Sequence, residues 1–346
     1  MTAVPRILDK SQRIGILKQT DWATPQAASA NFETQCYDRA SVTPDPGVTV
    51  DGINNMSGLG GVMDEYSNVV VDSVSGLKSL PFSGFLTKET AAKHLIAVFQ
   101  KVTEAATTPF AKQFTFADDV LDWKSGEGYL HTVAFDTGIS ARGMILQNAL
   151  INEYSLVIDP FGKGAGRYVK HSGTWVGNAL LKDQTLSGTW TVPAKTFFND
   201  STNGFEDNLD LTIGATTLTS EPFLKFEIKY SAGIEPDFVT TGGKVNNYLW
   251  KPKAQFIIDL PYNSHTAPFL GAYPTGSNAL VAVLDNGVAA HADKDLIFSN
   301  TYGHLISNPY KYDKEYVAVR VEINIELPSA GWGNIIQLTD TIDGAY

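Results

Sequence analysis

The stretch YVAVRVEINIEL, residues 316–327, constrains the fold more than any other. Val317, Val319, Val321, Ile323, Ile325 and Leu327 take every second place, and Arg320, Glu322, Asn324 and Glu326 fill the places between. Side chains alternate across a strand, so this spacing predicts a long strand with one dry face and one wet face. Leu224, Phe226, Ile228 and Tyr230 alternate with Lys225, Glu227 and Lys229 in the same manner. Further strands are expected over 13–17, 129–135, 151–159, 167–176, 184–192, 208–219, 254–260 and 279–285, with Val clusters and turn residues over 67–86. The 151–159 and 167–176 segments flank DPFGKGAGR and read as a long hairpin.

One segment has a different period. In TKETAAKHLIAVFQKVTEA, 87–105, the residues Ala91, Ala92, Leu95, Ile96, Val98, Phe99 and Val102 follow the spacing of one apolar helix face. Thr87 is the expected N-cap, Glu89 lies in the first turn where the dipole favours an anion, and Pro109 blocks extension. Many strands with one helix predict a mainly β fold: an antiparallel sandwich or barrel with a helix packed against it. We read 1–346 as a single domain, with a flexible arm over 1–12, a long loop over 38–66 and a C-terminal tail over 339–346.

Charge and composition narrow the function. The net charge is −11, which argues against a phosphate-gripping surface but suits a protein past which nucleic acid slides without sticking. Charged residues make up 18% of the chain, below the usual ~25%, and this suits a surface partly covered by other chains. Cys36 is the one cysteine, so neither an internal disulfide nor a cysteine metal site is expected. The leading residues MTAVPRILDKSQRIG lack an apolar core of the signal-peptide kind, and no apolar run reaches the ~18 residues of a membrane span. A cytoplasmic product, or a particle assembled there, is expected.

The search for chemistry returns bland readings. GKGAGR, 162–167, lacks the Walker spacing and reads as a hairpin turn. The histidines form no H-x-x-x-H or H-E-x-x-H pair; His94 is expected at the polar edge of the helix, and His291 with Asp293 offers two metal ligands without a third. NDSTNGFEDNLD, 199–210, places Gly204 like an EF-hand loop but lacks its first Asp and last Glu. No nucleophile elbow is present. No catalytic, cofactor or metal residue is therefore nominated.

The segment RIGILKQTDWATP, 13–25, resembles the N-terminal stretch of tailed-bacteriophage tail tube (major tail) proteins. There, a Gly-Ile/Leu-Gly/Lys-Glu/Gln-Thr run leads to an aromatic and then Gly/Ala-Thr-Pro. Here Leu17-Lys18-Gln19-Thr20 stands where an acidic residue is frequent, and Ala23 stands where Gly is common. The helix after LPFSGFL, the central hairpin and the late alternating strand followed by Pro328-Ser329-Ala330 match the family in order. The chain is long for the family, which implies enlarged loops such as 231–252 or 261–278.

The resemblance implies a β-sandwich with a flanking helix, built into stacked hexameric rings. These would form a tube in the virion tail, with an acidic lumen that conducts DNA during ejection. Its partners would be further copies of itself, a tape measure protein and a tail terminator, with DNA passing unbound and no membrane. Ile16, Trp22 and Pro25 are the residues expected to serve assembly, with Trp22 and Pro25 anchoring the point where the chain leaves its first strand for a neighbouring subunit. A tail terminator, decoration or fibre protein is the nearest alternative. A carbohydrate-binding sandwich using its Trp and Tyr rings is a third.

Overall fold

In a computed structural model of the chain, the described residues are 13–38, 42, 44, 49–52, 69–72, 77–106, 110–117, 121, 123, 126, 128–159, 168–195, 197–198, 208–213, 216–238, 245–267, 280–284, 296–300, 303–307, 310–313, 316–325 and 336–340. The first strands are β1 (Arg13–Lys18), β2 (Glu33–Thr34), β3 (Thr49–Gly52), β4 (Val69–Asp72) and β5 (Lys78–Phe85). Helix α1 (Lys88–Phe99) runs directly into β6 (Gln100–Glu104), followed by β7 (Phe110–Phe116) and β8 (His131–Asp136). Then come β9 (Gly143–Ile158), β10 (Lys170–Gly177), β11 (Ala179–Gln184), β12 (Asn208–Ile213), β13 (Thr216–Pro222) and β14 (Lys225–Ser231). The rest are β15 (Glu235–Phe238), β16 (Val245–Leu249), β17 (Lys253–Pro261), β18 (Leu280–Leu284), β19 (Leu296–Asn300), β20 (Gly303–Ser307), β21 (Tyr310–Asp313), β22 (Tyr316–Ile325) and β23 (Ile336–Asp340).

Two sheets dominate. The 12-stranded sheet runs β2-β1-β8-β9-β14-β17-β22-β20, with β10 between β9 and β5, β11 on β9 and β21 on β22. The 7-stranded sheet runs β13-β12-β18-β19-β23-β7-β6. The fold is mainly β with one flanking helix, as expected. Closure is not: each strand order has two ends, and among the described residues no sheet forms a barrel. The two sheets share one core. Phe226 of β14 meets Phe298 of β19 edge-on at 5.0 Å, and Phe116 of β7 meets Tyr230 of β14 at 6.2 Å. Full burial of each such side chain contributes about 1.5–3 kcal/mol.

The alternation of β22 holds. Val319, Val321, Ile323 and Ile325 are buried, and Arg320, Glu322 and Asn324 face outward. β14 obeys the same rule, with Phe226, Ile228 and Tyr230 inside. The central hairpin is β9–β10, antiparallel from Lys170↔Val157 to Val176↔Leu150. Its turn residues 162–167 lie outside the described residues, as do His291, Asp293 and 328–330. The expected strand over 184–192 is absent as such: β11 ends at Gln184, and Thr191 makes an isolated bridge to Glu33. Gly188 passes so close to the Ala30 carbonyl that a Cβ would lie 2.0 Å from it, which holds this stretch in an irregular path.

The helix is shorter than the periodicity predicts. Thr87 is the N-cap in extended backbone, but its hydroxyl meets the Thr90 hydroxyl at 2.7 Å rather than capping an N–H. At the other end Gln100 turns left-handed, φ 65°, and its Nε2 donates to the Ala97 carbonyl at 2.9 Å. Its Oε1 accepts from the Tyr129 N–H at 2.7 Å. This capping stops the helix at Phe99, and β-prone Val102 and Thr103 pair with β7 instead. α1 packs on β9, β6 and β7, at the junction of the two sheets.

The long loop expected over 38–66 contains β3, which pairs with β4, and 231–252 contains the hairpin β15–β16.

Candidate functional site

The 13–25 motif is occupied inside its own chain. Ile16, 2% exposed, lies on β1 opposite Val133 of β8 and Glu33 of β2. Trp22 is half-buried, with its ring edge-on to Tyr248 at 5.0 Å, against a cluster that includes Trp123, Leu150 and Ile234. Pro25 is half-buried just after a turn held by Asp21. The Asp21 carboxylate accepts from the Thr24 hydroxyl at 2.7 Å and from the N–H groups of Ala23 and Thr24 at 2.8 and 2.9 Å. The Thr24 hydroxyl, followed by these N–H groups, holds its pKa below the ordinary value against the effect of burial. Ile16 and Trp22 thus serve two separate cores.

After Pro25 the described residues up to 38 run along the chain's own sheet. The Gln26 N–H donates to Thr132 Oγ1 at 2.9 Å, and β2 returns alongside β1 with Thr34 opposite Gly15. The chain doubles back because hydrogen-bond partners and a covered pocket for Phe32 await it on its own sheet.

The motif's decisive residue is Gln19, which the sequence reading passed over. It is 2% exposed. Its Oε1 accepts from the Asn148 N–H at 2.8 Å and from Thr132 Oγ1 at 3.0 Å, while its Nε2 donates to Asn148 Oδ1 at 2.7 Å. Asn148 sits at φ 52°, in the middle of the 16-residue strand β9. The β8–β9 register slips there, between His131↔Ala149 and Val133↔Leu146. A left-handed residue inside a strand breaks the ladder, and Asn tolerates that backbone better than most. Gln19 supplies the partners that the broken ladder withholds. Tyr248 completes the clamp by donating its hydroxyl to the Asn148 carbonyl at 2.8 Å. The bend lets β9 serve β8 and β11 with its first half and β10 and β14 with its second.

The two halves of the large sheet differ in what covers them. In the first, Ala134, Ile145, Phe32 and Trp190 bury the second face as well, so β8 is buried on both sides. In the second, the outer face is half-buried to exposed at most described positions, with Ile257 and Asp259 buried on it. The register sets Ser83 of β5, Ser172 of β10, Ser155 of β9, Lys229 of β14, Gln255 of β17 and Asn324 of β22 in one row across the sheet.

The charges on this face nearly balance: Lys170, Lys225, Lys229, Lys253 and Arg320 stand against Glu153, Glu227, Asp259 and Glu322. Arg320 grips Asp259 with two bonds of 2.7 and 3.0 Å. Burial alone would raise the Glu227 carboxyl, but the Lys225 hydrogen bond at 2.8 Å and the charges of Lys225 and Lys229 hold it below its ordinary value. Two depressions dish the face, one of about 560 Å³ at the ends of β14, β17 and β22, and one of about 380 Å³ over β5, β10 and β9.

His94 is not at a polar edge. It is fully buried, because α1 is covered on nearly every side, and it meets His171 of β10 within a shell of Tyr37, Phe82, Tyr154 and Trp175. Among the described residues, no group of three His, Cys, Asp or Glu side chains is placed to hold a metal ion. No described helix is long and apolar enough to cross a membrane. No family model matches the sequence, and no curated protein matches it.

Proposed function

We propose that the chain is a structural subunit that assembles with copies of itself, as the tail tube resemblance of 13–25 implies, into stacked rings forming a phage tail tube. The observation that carries this reading is the outer face of the second half of the large sheet. It is broad and dished, and it mixes Ser, Gln, Asn and paired charged side chains with the apolar Phe85, Val157 and Ile257.

The sheet ends support the same reading. β2 at one end and β20 and β21 at the other are short, and the second sheet ends in β13 and β6. Unpaired strand edges are templates for pairing, and a ring of subunits joins them. A head-to-tail stack then grows as an open filament. In this reading the two sheets and α1 are the sandwich and flanking helix of the tube subunit.

The charge balance refines the lumen. Since the outer face is nearly neutral, the carboxylate surplus behind the net charge of −11 lies elsewhere on the chain. That surplus supports passage of nucleic acid without adhesion, and an acidic channel lining would come from other elements.

The test is negative-stain electron microscopy with sedimentation velocity on the purified chain over a wide concentration range. Rings or tubes are expected. A chain that remains monomeric at the highest concentration, and forms no polymer with particle extracts, would overturn the reading.

A further inference from the structure

We propose that His94, His131 and His171 form an acid-operated latch: as neutral rings they hold α1 on the large sheet, and proton uptake releases it. The inference is independent of the assembly reading, because every group in it belongs to one chain.

The rings come from three elements, α1, β8 and β10, and are 0%, 1% and 2% exposed. His94 meets His171 edge-to-face at 4.7 Å, and His131 lies against Trp175 at 5.6 Å. A directed chain of hydrogen bonds fixes His94 as a neutral ring. Trp175 Nε1 donates to the Tyr37 hydroxyl at 3.1 Å, and that hydroxyl is 2.6 Å from His94 Nε2. His94 Nδ1 is 2.9 Å from the Thr90 carbonyl, which accepts only. Nδ1 therefore carries the proton, and Nε2 accepts from Tyr37. A second proton on Nε2 would turn it from acceptor to donor and take from the Tyr37 O–H the acceptor it has there.

The other two rings have still less to offer a proton. His171 Nδ1 lies 3.2 Å from the Tyr154 hydroxyl, while its Nε2 is buried without a partner among the described residues. Both nitrogens of His131 are in that condition.

The charged surroundings oppose protonation too. α1 brings Lys93, which is ion-paired with Glu33 of β2, and β1 brings Lys18, which lies over the Tyr129 ring. The phenols of Tyr37 and of Tyr154 on β9 face the cluster, and burial keeps both neutral. Asp38 lines the surface depression beyond His171. Burial lowers the His94 pKa to about 4, against a rise from the Thr90 hydrogen bond and with a smaller lowering from the Lys93 charge. Burial, then His94 and Lys18, lower that of His131 to about 3, against a rise from the Tyr129 backbone and with the smallest lowering from Lys93. Burial and then His94 put His171 well below its ordinary value.

The sign follows. An exposed histidine takes its proton near pH 6.5, so the released state binds protons that the closed state refuses. The latch is at full strength above that pH and weakens as pH falls toward the native values. In the limit, each ring multiplies the opening equilibrium by about tenfold per pH unit.

The experiment follows amide exchange of α1 and tryptophan fluorescence of the full-length protein from pH 7.5 to 4. α1 is expected to lose protection in a steep step below about pH 6, where an exposed imidazole would already be charged. His131→Phe keeps an aromatic ring in place and removes both titratable nitrogens. It should move the step to lower pH and reduce its steepness by about tenfold per pH unit. An unchanged midpoint and steepness would overturn the latch. If the variant does not fold, the wild-type imidazole signals decide. Rings that stay neutral until α1 opens support the latch, whereas rings that titrate near 6.5 while α1 amides stay protected refute it.

Discussion

Replacing Gln19 by alanine tests whether the N-terminal motif exists to hold the bend in β9. The substitution strands the Asn148 N–H and Asn148 Oδ1 in a buried site, where they now have partners at 2.8 and 2.7 Å. The Thr132 hydroxyl can rotate and still accepts from the Gln26 N–H, so it adds little. A stranded buried polar group costs about 1–3 kcal/mol, giving roughly 3 kcal/mol for the two. Unfolding entropy near 2.1 cal/mol/K per residue amounts to about 0.7 kcal/mol/K for this 346-residue chain, so Tm should fall by about 4 °C. Calorimetry at one fixed protein concentration reads this, since assembly makes Tm concentration-dependent. Asn148→Gly supplies the control: it accepts the φ of 52° without strain and deletes the amide that Gln19 serves. A double-mutant cycle should return a coupling of about 1–3 kcal/mol. Coupling within about 0.5 kcal/mol of zero would refute the clamp, because independent sites add to that accuracy.

Gly15→Ala should destabilise by about 1–3 kcal/mol in chemical denaturation, because its Cβ would lie 2.6 Å from Phe32 Cβ and 2.9 Å from the Trp190 ring. Trp22→Ala should lower Tm by a few degrees through lost packing on Tyr248, at about 1.5–3 kcal/mol, and leave any rings or tubes formed below Tm intact by electron microscopy. Arg320→Ala should cost about 2 kcal/mol in urea unfolding, less than a fully buried pair because Arg320 is 26% exposed while Asp259 is 6% exposed. Arg142→Ala, whose partner Asp183 is as exposed as itself, should change stability by less than about 0.5 kcal/mol.

Strands β14 and β22 were legible because one side faces the core and the other faces water, so burial writes a period of two into the residues, whereas β17 is buried without a break from Phe256 to Leu260. The same sheet was less legible where both faces are covered. β8 is buried at Thr132 and Ala134 as well as at Val133 and Phe135, and its sequence carries no alternation to follow. β9 was read as 151–159 because polar Gln147 and Asn148 interrupt its apolar run; these mark the bend inside one strand rather than its start. The helix was overextended because Val102 happens to continue the helical spacing, while the capping by Gln100 depends on a long-range bond to Tyr129. His94 was misplaced for a related reason. A helix wedged between two sheets buries most of its circumference, and its own sequence does not show what lies opposite. The buried histidines became a cluster only when three distant segments met.

The Gln19 clamp alters what the motif can mean for assembly. Asn148 is 129 residues away in sequence, so no local pattern could reveal the pair. Gly15 did carry a local signal: a glycine inside a strand marks a close approach, here to Phe32 and Trp190. Ile16 fills the main core, Asp21 closes a turn, and Trp22 covers Tyr248. With these residues committed inside the subunit, the motif would act on the proposed assembly through the shape it enforces. It bends β9, and the bend separates the half-sheet covered on both faces from the half-sheet with the more exposed outer wall. On the proposed assembly, contacts between copies would fall to strand edges and to that wall, and Trp22→Ala distinguishes the two roles: a fold anchor loses Tm and keeps its polymers, whereas an interface residue keeps Tm and loses them.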